Sequence, residues 1–396
     1  MYLVHFKSKD LGRIHKQGQF WHIFFTNGGV IISQDELDTW TTHFPIPLDT
    51  KIENLDPEKQ IQEVLGGSLS PYPIKVDEIL VTSVWRPNIC LADSYRSAGG
   101  RVFLSGDAAH QNIPTGGYGM NSAVGDSFDI GWKVSTMIKG YGGPHLLDSY
   151  EHERRPVASR NIERSGVHMA VHHAYYAMIA EAGAEIATAQ TDEGKRLRKK
   201  IAKHLAEHDG ENKDHGIEMG YRYNGSPVIV QDQESVEPEW NPAYYIPSTW
   251  PGARAPQLLL ADNETSIFDL FGPDFTLIDF SSDGDFSRHF ERQAAILHIP
   301  LKVVNLPREK HARQIWDREA FLIRPDDHVA WRASIDGKIP DVESVLLTAV
   351  GQKSAFSQDD TAAGRVATAW VKERGFTATV GNVDQEKVAM LGAFQQ

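Results

Sequence analysis

The stretch Arg101 to Asn121, RVFLSGDAAHQNIPTGGYGMN, limits what this chain can fold into more than any other. Val102-Phe103-Leu104 is an apolar run of the kind that forms a buried strand, and it stops at Gly106-Asp107. A loop bearing Pro114, Gly116, Gly117 and Gly119 follows, and then Met120, Val124, Phe128 and Trp132 recur at helical spacing. A carboxylate where a strand ends can accept hydrogen bonds from the hydroxyls of a polyol. Glycines let backbone N–H groups approach a flat, electron-poor ring closely. The start of the helix adds unpaired N–H groups and a partial positive charge that suits an anionic group. These glycines do not make the dinucleotide fingerprint G-x-G-x-x-G. Ser122 stands where the third glycine belongs, and the turn does not directly follow its strand.

A sugar-alcohol chain joined to such a ring is the ribityl and isoalloxazine portion of a flavin. GDAAHQNIPTGGYGMN is similar to the second FAD-binding motif of the single-component aromatic hydroxylases, the phenol hydroxylase-like FAD-dependent monooxygenases. The aspartate, the proline and G-G-x-G-M-N all match. The resemblance implies that Gly106, Asp107, Gly116, Gly117, Gly119, Met120 and Asn121 bind the cofactor. Asp107 would take the ribityl chain, and the backbone from Gly117 to Asn121 the pyrimidine side of the ring. Pro114 would lie against the ring near the reacting face. His110 and Tyr95 are the candidates for a base that helps deprotonate a phenol, although His110 is equally suited to bracing the loop.

At 396 residues, with 41% hydrophobic and 23% charged residues, the chain has room for two or three domains, each with its own core. A net charge of −13 repels nucleic acid and anionic membrane, so neither is an expected partner. No apolar run reaches the length of a membrane span. MYLVHFKSKD lacks the charged-then-apolar order of a secretory signal, so a cytoplasmic location is expected. Cys90 is the sole cysteine, which precludes a disulfide within the chain and any thiolate metal cluster.

The expected organisation is multidomain, α/β and α+β. Residues 1–95 alternate apolar and polar positions in short runs, as in Gln19 to Phe25, Val30 to Ile32 and Ile79 to Trp85. They read as an antiparallel sheet with a charged helix from Asp56 to Leu65. VHFKSKDLGRIHKQGQFWHIFF is similar to the middle domain of the same hydroxylases, where such a sheet covers a small aromatic substrate. Trp21, Trp85 and Tyr95 are pocket candidates there, with core packing as the alternative. Residues 96–165 read as the later part of an FAD-binding domain, its loop helix continuing to Lys139. YEHERRP is a further point of resemblance, with Arg154 and Arg155 as structural ion-pair partners. Residues 166–240 read as helical. His168 and His172 there have metal-ligand spacing and His204 to His208 spells H-x-x-E-H, but solvated histidines on a helix surface are the better reading. Residues 241–256 read as an extended linker.

Residues 257–350 carry strands at Phe275 to Phe280, Leu301 to Val304, Ala320 to Ile323 and Val329 to Trp331, with a helix around Phe290 to Leu297. This order resembles the family's thioredoxin-like C-terminal domain. A thioredoxin chemist needs C-x-x-C, and this domain has no cysteine, so a packing or dimer-forming role is expected. Residues 351–396, helix-like from Ala362 to Arg374, form an extension of unknown role.

Members of the resembled family open with a G-x-G-x-x-G turn that cradles the FAD pyrophosphate, and this sequence contains none. The expectation is therefore an N-terminally truncated, incomplete FAD-binding domain that binds FAD weakly or not at all alone. The reaction implied by the resemblance is aromatic hydroxylation with FAD, NAD(P)H as co-substrate and dioxygen. A non-catalytic remnant serving as an interaction module is the alternative, and an oxidase or Baeyer–Villiger reaction on the same scaffold is a third.

Overall fold

The computed structural model describes residues 1–356, so the expected helix from Ala362 to Arg374 lies outside the described residues. The chain divides into two compact units, residues 1–88 with 169–209, and residues 89–168 with 210 onward. The stretch 166–240 is thereby shared between them.

In the first unit, β1 (Tyr2–Lys7), β2 (His22–Phe24), β3 (Val30–Ser33), β4 (Thr39–Phe44) and β5 (Glu78–Val84) form an antiparallel sheet of order β2-β3-β4-β1-β5. Period-two alternation buries Tyr2, Val4 and Phe6 on one face of β1, where they join Ile31 and Trp40. Ile61 of α1 (Pro57–Gly66) joins that core, and Val64 of the same helix is also buried. Asp56 caps α1 by accepting from the N–H groups of Glu58 and Lys59, Pro57 sits at its first position, and Gly67 at φ 60° ends it. Trp21 is 70% exposed. Trp85 is half-buried and donates its indole N–H to Nδ1 of His43 at 2.9 Å. Burial, and then the charge of the N-terminal amine, push His43 down to about 4, which keeps that ring neutral and able to accept.

The second unit opens with the short pair β6 (Cys90–Leu91) and β7 (His110–Gln111). The strand expected at Val102 to Leu104 does not form. Phe103 makes one isolated bridge, to Arg96, and Val102 is 60% exposed. Ser97 N–H to Val102 C=O and Leu104 N–H to Tyr95 C=O are its backbone bonds, on one side only. An apolar run becomes a buried strand only when neighbours pair both edges and cover both faces.

Two long helices follow, α2 (Tyr118–Ile138) and α3 (Pro144–Ala182), whose later turns enter the first unit along with α4 (Ala184–Thr188) and α5 (Asp192–Glu207). The helical period in α2 is as the sequence reads, but the side turned inward is the opposite one. Met120, Val124 and Phe128 are 76%, 62% and 58% exposed, while Ser122, Asp126, Asp129, Lys133 and Thr136 are buried. Of the four apolar residues at helical spacing, Trp132 alone faces the core.

After α6 (His215–Met219) the chain builds a four-stranded sheet of order β11-β10-β8-β9 from β8 (Phe275–Asp279), β9 (Leu301–Asn305), β10 (Ala320–Ile323) and β11 (Val329–Arg332). β8 and β9 are parallel and joined by α7 (Asp285–Leu297); the other pairs are antiparallel. β8 and β10 are buried at every residue, because helices or loops cover both faces. Phe275, Leu277, Ala320 and Leu322 pack with Phe286 and Phe290 of α7 and with Leu346 of α9 (Val342–Ala349). Ile278, Phe321 and Ile323 turn the other way, onto Ala312 and Trp316 of α8 (Lys310–Trp316). The stretch 241–256 has no helix or strand, yet Thr249 and Trp250 within it are buried. Its end is zipped to the sheet by Gly252 N–H to Val329 C=O and Val329 N–H to Ala253 C=O.

Candidate functional site

The site lies in the second unit and begins at Gly106. Its φ is +58°, and a Cβ there would stand 2.9 Å from Cβ of Ala123, so the turn can lie on α2 only as glycine. Gly106 N–H donates to Oδ2 of Asp126 at 3.2 Å, and the same oxygen lies 2.7 Å from Nε2 of His110. Arg154 of α3 donates its Nε–H to the other oxygen at 2.8 Å. Arg154 also donates to Tyr223 Oη at 3.2 Å and to Ser122 C=O at 3.3 Å. Burial by itself would raise the Asp126 carboxyl, but the His110 bond and the Arg154 charge outweigh it and hold the group below the ordinary carboxylate range. Asp107 stands exposed beside this buried cluster.

The glycine loop is pinned from its inner side. Gly116 N–H donates to Glu211 Oε1 at 3.1 Å, and Thr115 Oγ1 donates to Ser165 C=O at 2.7 Å. Tyr118 is buried, with its hydroxyl 3.1 Å from Nε2 of His168, a nitrogen that is also 3.3 Å from Oδ2 of Asp214. Arg164 completes the set as the ion-pair partner of Asp214. The outer side is open: Pro114, Gly117, Met120 and Asn121 are exposed, and among the described residues nothing beyond its own chain neighbours lies within 4 Å of where a Gly117 Cβ would stand. Gly117, at φ +68°, caps α2 with no side chain, leaving the positive end of a 21-residue helix uncovered by a cap. An exposed carboxylate, bare backbone and an uncapped helix start fit a flavin's hydroxyls, ring and electron-rich edge.

The two candidate bases sit inward. His110 is 1% exposed and tied to Asp126, which is the bracing position. Tyr95 is fully buried with Leu91, Ala109 and Tyr150, and its hydroxyl has no hydrogen-bond partner among the described residues. Burial drives its pKa far upward. Arg154 makes the expected ion pair, whereas Arg155 donates to the Ala92 carbonyl at 2.9 Å. The reading of His168 and His172 as solvated is corrected: they are 1% and 7% exposed, because α3 is buried along the face that carries them. His172 Nδ1 lies 3.1 Å from Tyr175 Oη. His204 and His208 are bonded to the backbone oxygens of Val171 and His204.

A second buried network lies farther along α2. Lys133 Nζ donates to Asp129 Oδ2 at 2.7 Å and to Glu153 Oε2 at 2.6 Å. Arg324, between β10 and β11, reaches Glu153, Asp326 and Asp129. Three carboxylates converge closely enough to hold a metal ion, but the two cations already stand among them. Burial opposes ionisation of Glu153, yet Arg324 and Lys133 prevail and hold it down at about 2. Asp129 is the surplus carboxylate: burial, reinforced by the Glu153 charge, pushes it up to about 6. A raised carboxyl favours the fold at low pH and loses that contribution as pH climbs through its folded value. Stability should therefore decline from about pH 4 to pH 7, the span that brackets the unfolded and folded values. Asp129→Asn should flatten that decline, measured as denaturation midpoints at the two pH values; an unchanged slope would show that Asp129 is not the titrating group.

No single-residue signal in the sequence marks Asp126, Glu211, Asp214 or Arg324. The polar residues at Ser122, Asp126, Asp129 and Lys133 recur at helical spacing, which by itself reads as a solvated face.

Residues 2–165 match the FAD binding domain and residues 248–353 the C-terminal domain of aromatic-ring hydroxylases. The FAD-dependent monooxygenases apdD of Emericella nidulans and opdD of Penicillium oxalicum are each 42% identical over 88% of this chain. The chain spans 58% of the former's length and 68% of the latter's. The structure of the flavin-dependent monooxygenase PieE, solved in complex with FAD and substrate, superposes with a TM-score of 0.73 at 30% identity, covering 89% of this chain and 65% of that one. The chain belongs to the FAD-binding aromatic-ring hydroxylase family. The FAD binding domain match begins at residue 2, so the expected loss of the front of that domain is not shown. No described helix is long and apolar enough to cross a membrane.

Proposed function

We propose that this chain carries out FAD-dependent hydroxylation of a small phenolic or other aromatic substrate, with NAD(P)H and dioxygen as co-substrates. The observation that carries the reading is the Gly106–Asn121 loop, which is rigid on its buried side and bare on its open side. When bound, FAD would supply the redox chemistry through which electrons from NAD(P)H activate dioxygen, one oxygen atom entering the ring and the other leaving as water. Asp107 would accept from the ribityl hydroxyls. The N–H groups at the start of α2 would face the pyrimidine edge of the flavin, and Met120 and Asn121 would flank it. Pro114 would lie over the ring without offering a donor. His110 braces the turn, and Tyr95, with its hydroxyl enclosed, is core.

The sheet β8–β11 is read as thioredoxin-like. Support comes from the order β8-α7-β9-α8-β10-β11-α9, with parallel β8 and β9 at its start and an antiparallel hairpin at its end. Without cysteine it has no dithiol chemistry, and packing or self-association is its role.

The test is a titration of the purified chain with FAD, followed by NAD(P)H oxidation with a panel of phenols. Quenched flavin fluorescence, substrate-stimulated oxidation and a product one oxygen heavier are expected. Failure to bind FAD at all would remove the reading.

A further inference from the structure

We infer that Asp126 is a positioning residue for the flavin, acting through Asp107. The inference rests on the FAD reading above and concerns a residue that never touches the ligand. One oxygen of Asp126 takes the Gly106 N–H and the His110 ring nitrogen, so its two bonds bracket Asp107 on either side in sequence. Between them Gly106–Ala108 form a single 3-10 turn, closed by Ala109 N–H to Gly106 C=O at 2.8 Å. Such a turn, held at its start and just past its end by one buried atom, leaves the exposed Asp107 carboxylate little freedom except to point outward.

Arg154 fixes the clamp itself. It meets the second oxygen of Asp126 and, through its other nitrogens, Ser122 C=O on α2 and the Tyr223 hydroxyl. Asp126 is 0% exposed and Arg154 2%, so neither charge has water as an alternative partner. The carboxylate is matched by donors on both of its sides. An asparagine of the same shape must turn its NH2 toward either Arg154 or the Gly106 and His110 pair, setting donor against donor. The turn is then released, and with it the preset direction of Asp107.

The experiment is a double-mutant cycle on the FAD dissociation constant, read by flavin fluorescence, with Asp107→Ala and Asp126→Asn. Asp126→Asn alone is expected to weaken FAD by about 10–100-fold, the range for a hydrogen bond to a charged group. In the Asp107→Ala background it should change affinity by less than about threefold, because the group it orients is gone. Equal losses in both backgrounds would mean that Asp126 supports the fold in general, and would overturn the inference while leaving the FAD reading intact. Wild-type affinity in Asp107→Ala would instead overturn the FAD reading of the loop. If Asp126→Asn does not fold, His110→Gln opens one side of the same clamp and takes its place in the cycle. Amide hydrogen exchange on the ligand-free chain gives a further readout: faster exchange confined to residues 105–110 is expected, and uniform loosening across the unit would contradict the clamp.

Discussion

Arg324→Met is expected to destabilise the second unit by about 3–5 kcal/mol, the cost typical of removing one partner from a buried ionic set. Arg324 is 2% exposed and donates to Glu153 at 2.6 and 2.8 Å, to Asp326 at 3.0 and 2.5 Å and to Asp129 at 3.3 Å. Its guanidinium also lies 5.0 Å from the centre of the Trp132 ring and 5.1 Å from that of Tyr223. Methionine fills similar space but leaves Asp129 and Glu153 with Lys133 as their cation and Asp326 with only the His328 ring beside it. Those carboxyls would then hold protons more strongly, so the deficit should shrink on acidification toward pH 5. Denaturation midpoints, with amide exchange along residues 126–133 and 321–330, measure the effect. A loss below about 1 kcal/mol would show that the network is no more than a surface-like ion pair.

Gly116→Ala should disable the cofactor loop. At φ +84° an alanine pays about 1–2 kcal/mol in the left-handed region, and its Cβ would lie 2.5 Å from the Tyr118 ring. Tyr118 cannot swing aside cheaply, because it is buried and its hydroxyl is bonded to His168. Displacing it forfeits that bond, about 1 kcal/mol more, and draws Gly116 N–H from Glu211. The combined strain of about 2–3 kcal/mol corresponds to a 30–150-fold weaker FAD complex if it falls on the bound state. Where it falls on the free state as well, it emerges as a lower unfolding temperature. An alanine variant with wild-type affinity and wild-type unfolding would show that the loop does not need glycine there.

Local chemistry made several features legible. Asp56-Pro57 before an amphipathic run announces α1, and alternation over residues 1–95 announces an antiparallel sheet, because both depend on neighbours a few residues apart. The Gly106–Asn121 loop stands out for the same reason: carboxylate, proline and glycines are contiguous, and the flavin reading proposed above needs them at fixed spacing. The mostly apolar runs at Phe275 and Ala320 likewise announce strands.

What the sequence determined by itself was therefore most of the strands and helices, and the family. Tertiary structure alone decided which side of α2 turns inward, and it chose the charged one. The physical reason is that a buried charge is tolerable only with partners, and Arg154, Glu153 and Arg324 arrive from segments 20 to 195 residues away. No window along the chain contains those partners, so no periodicity could reveal that Asp126 and Asp129 face the interior while Met120 and Phe128 face out.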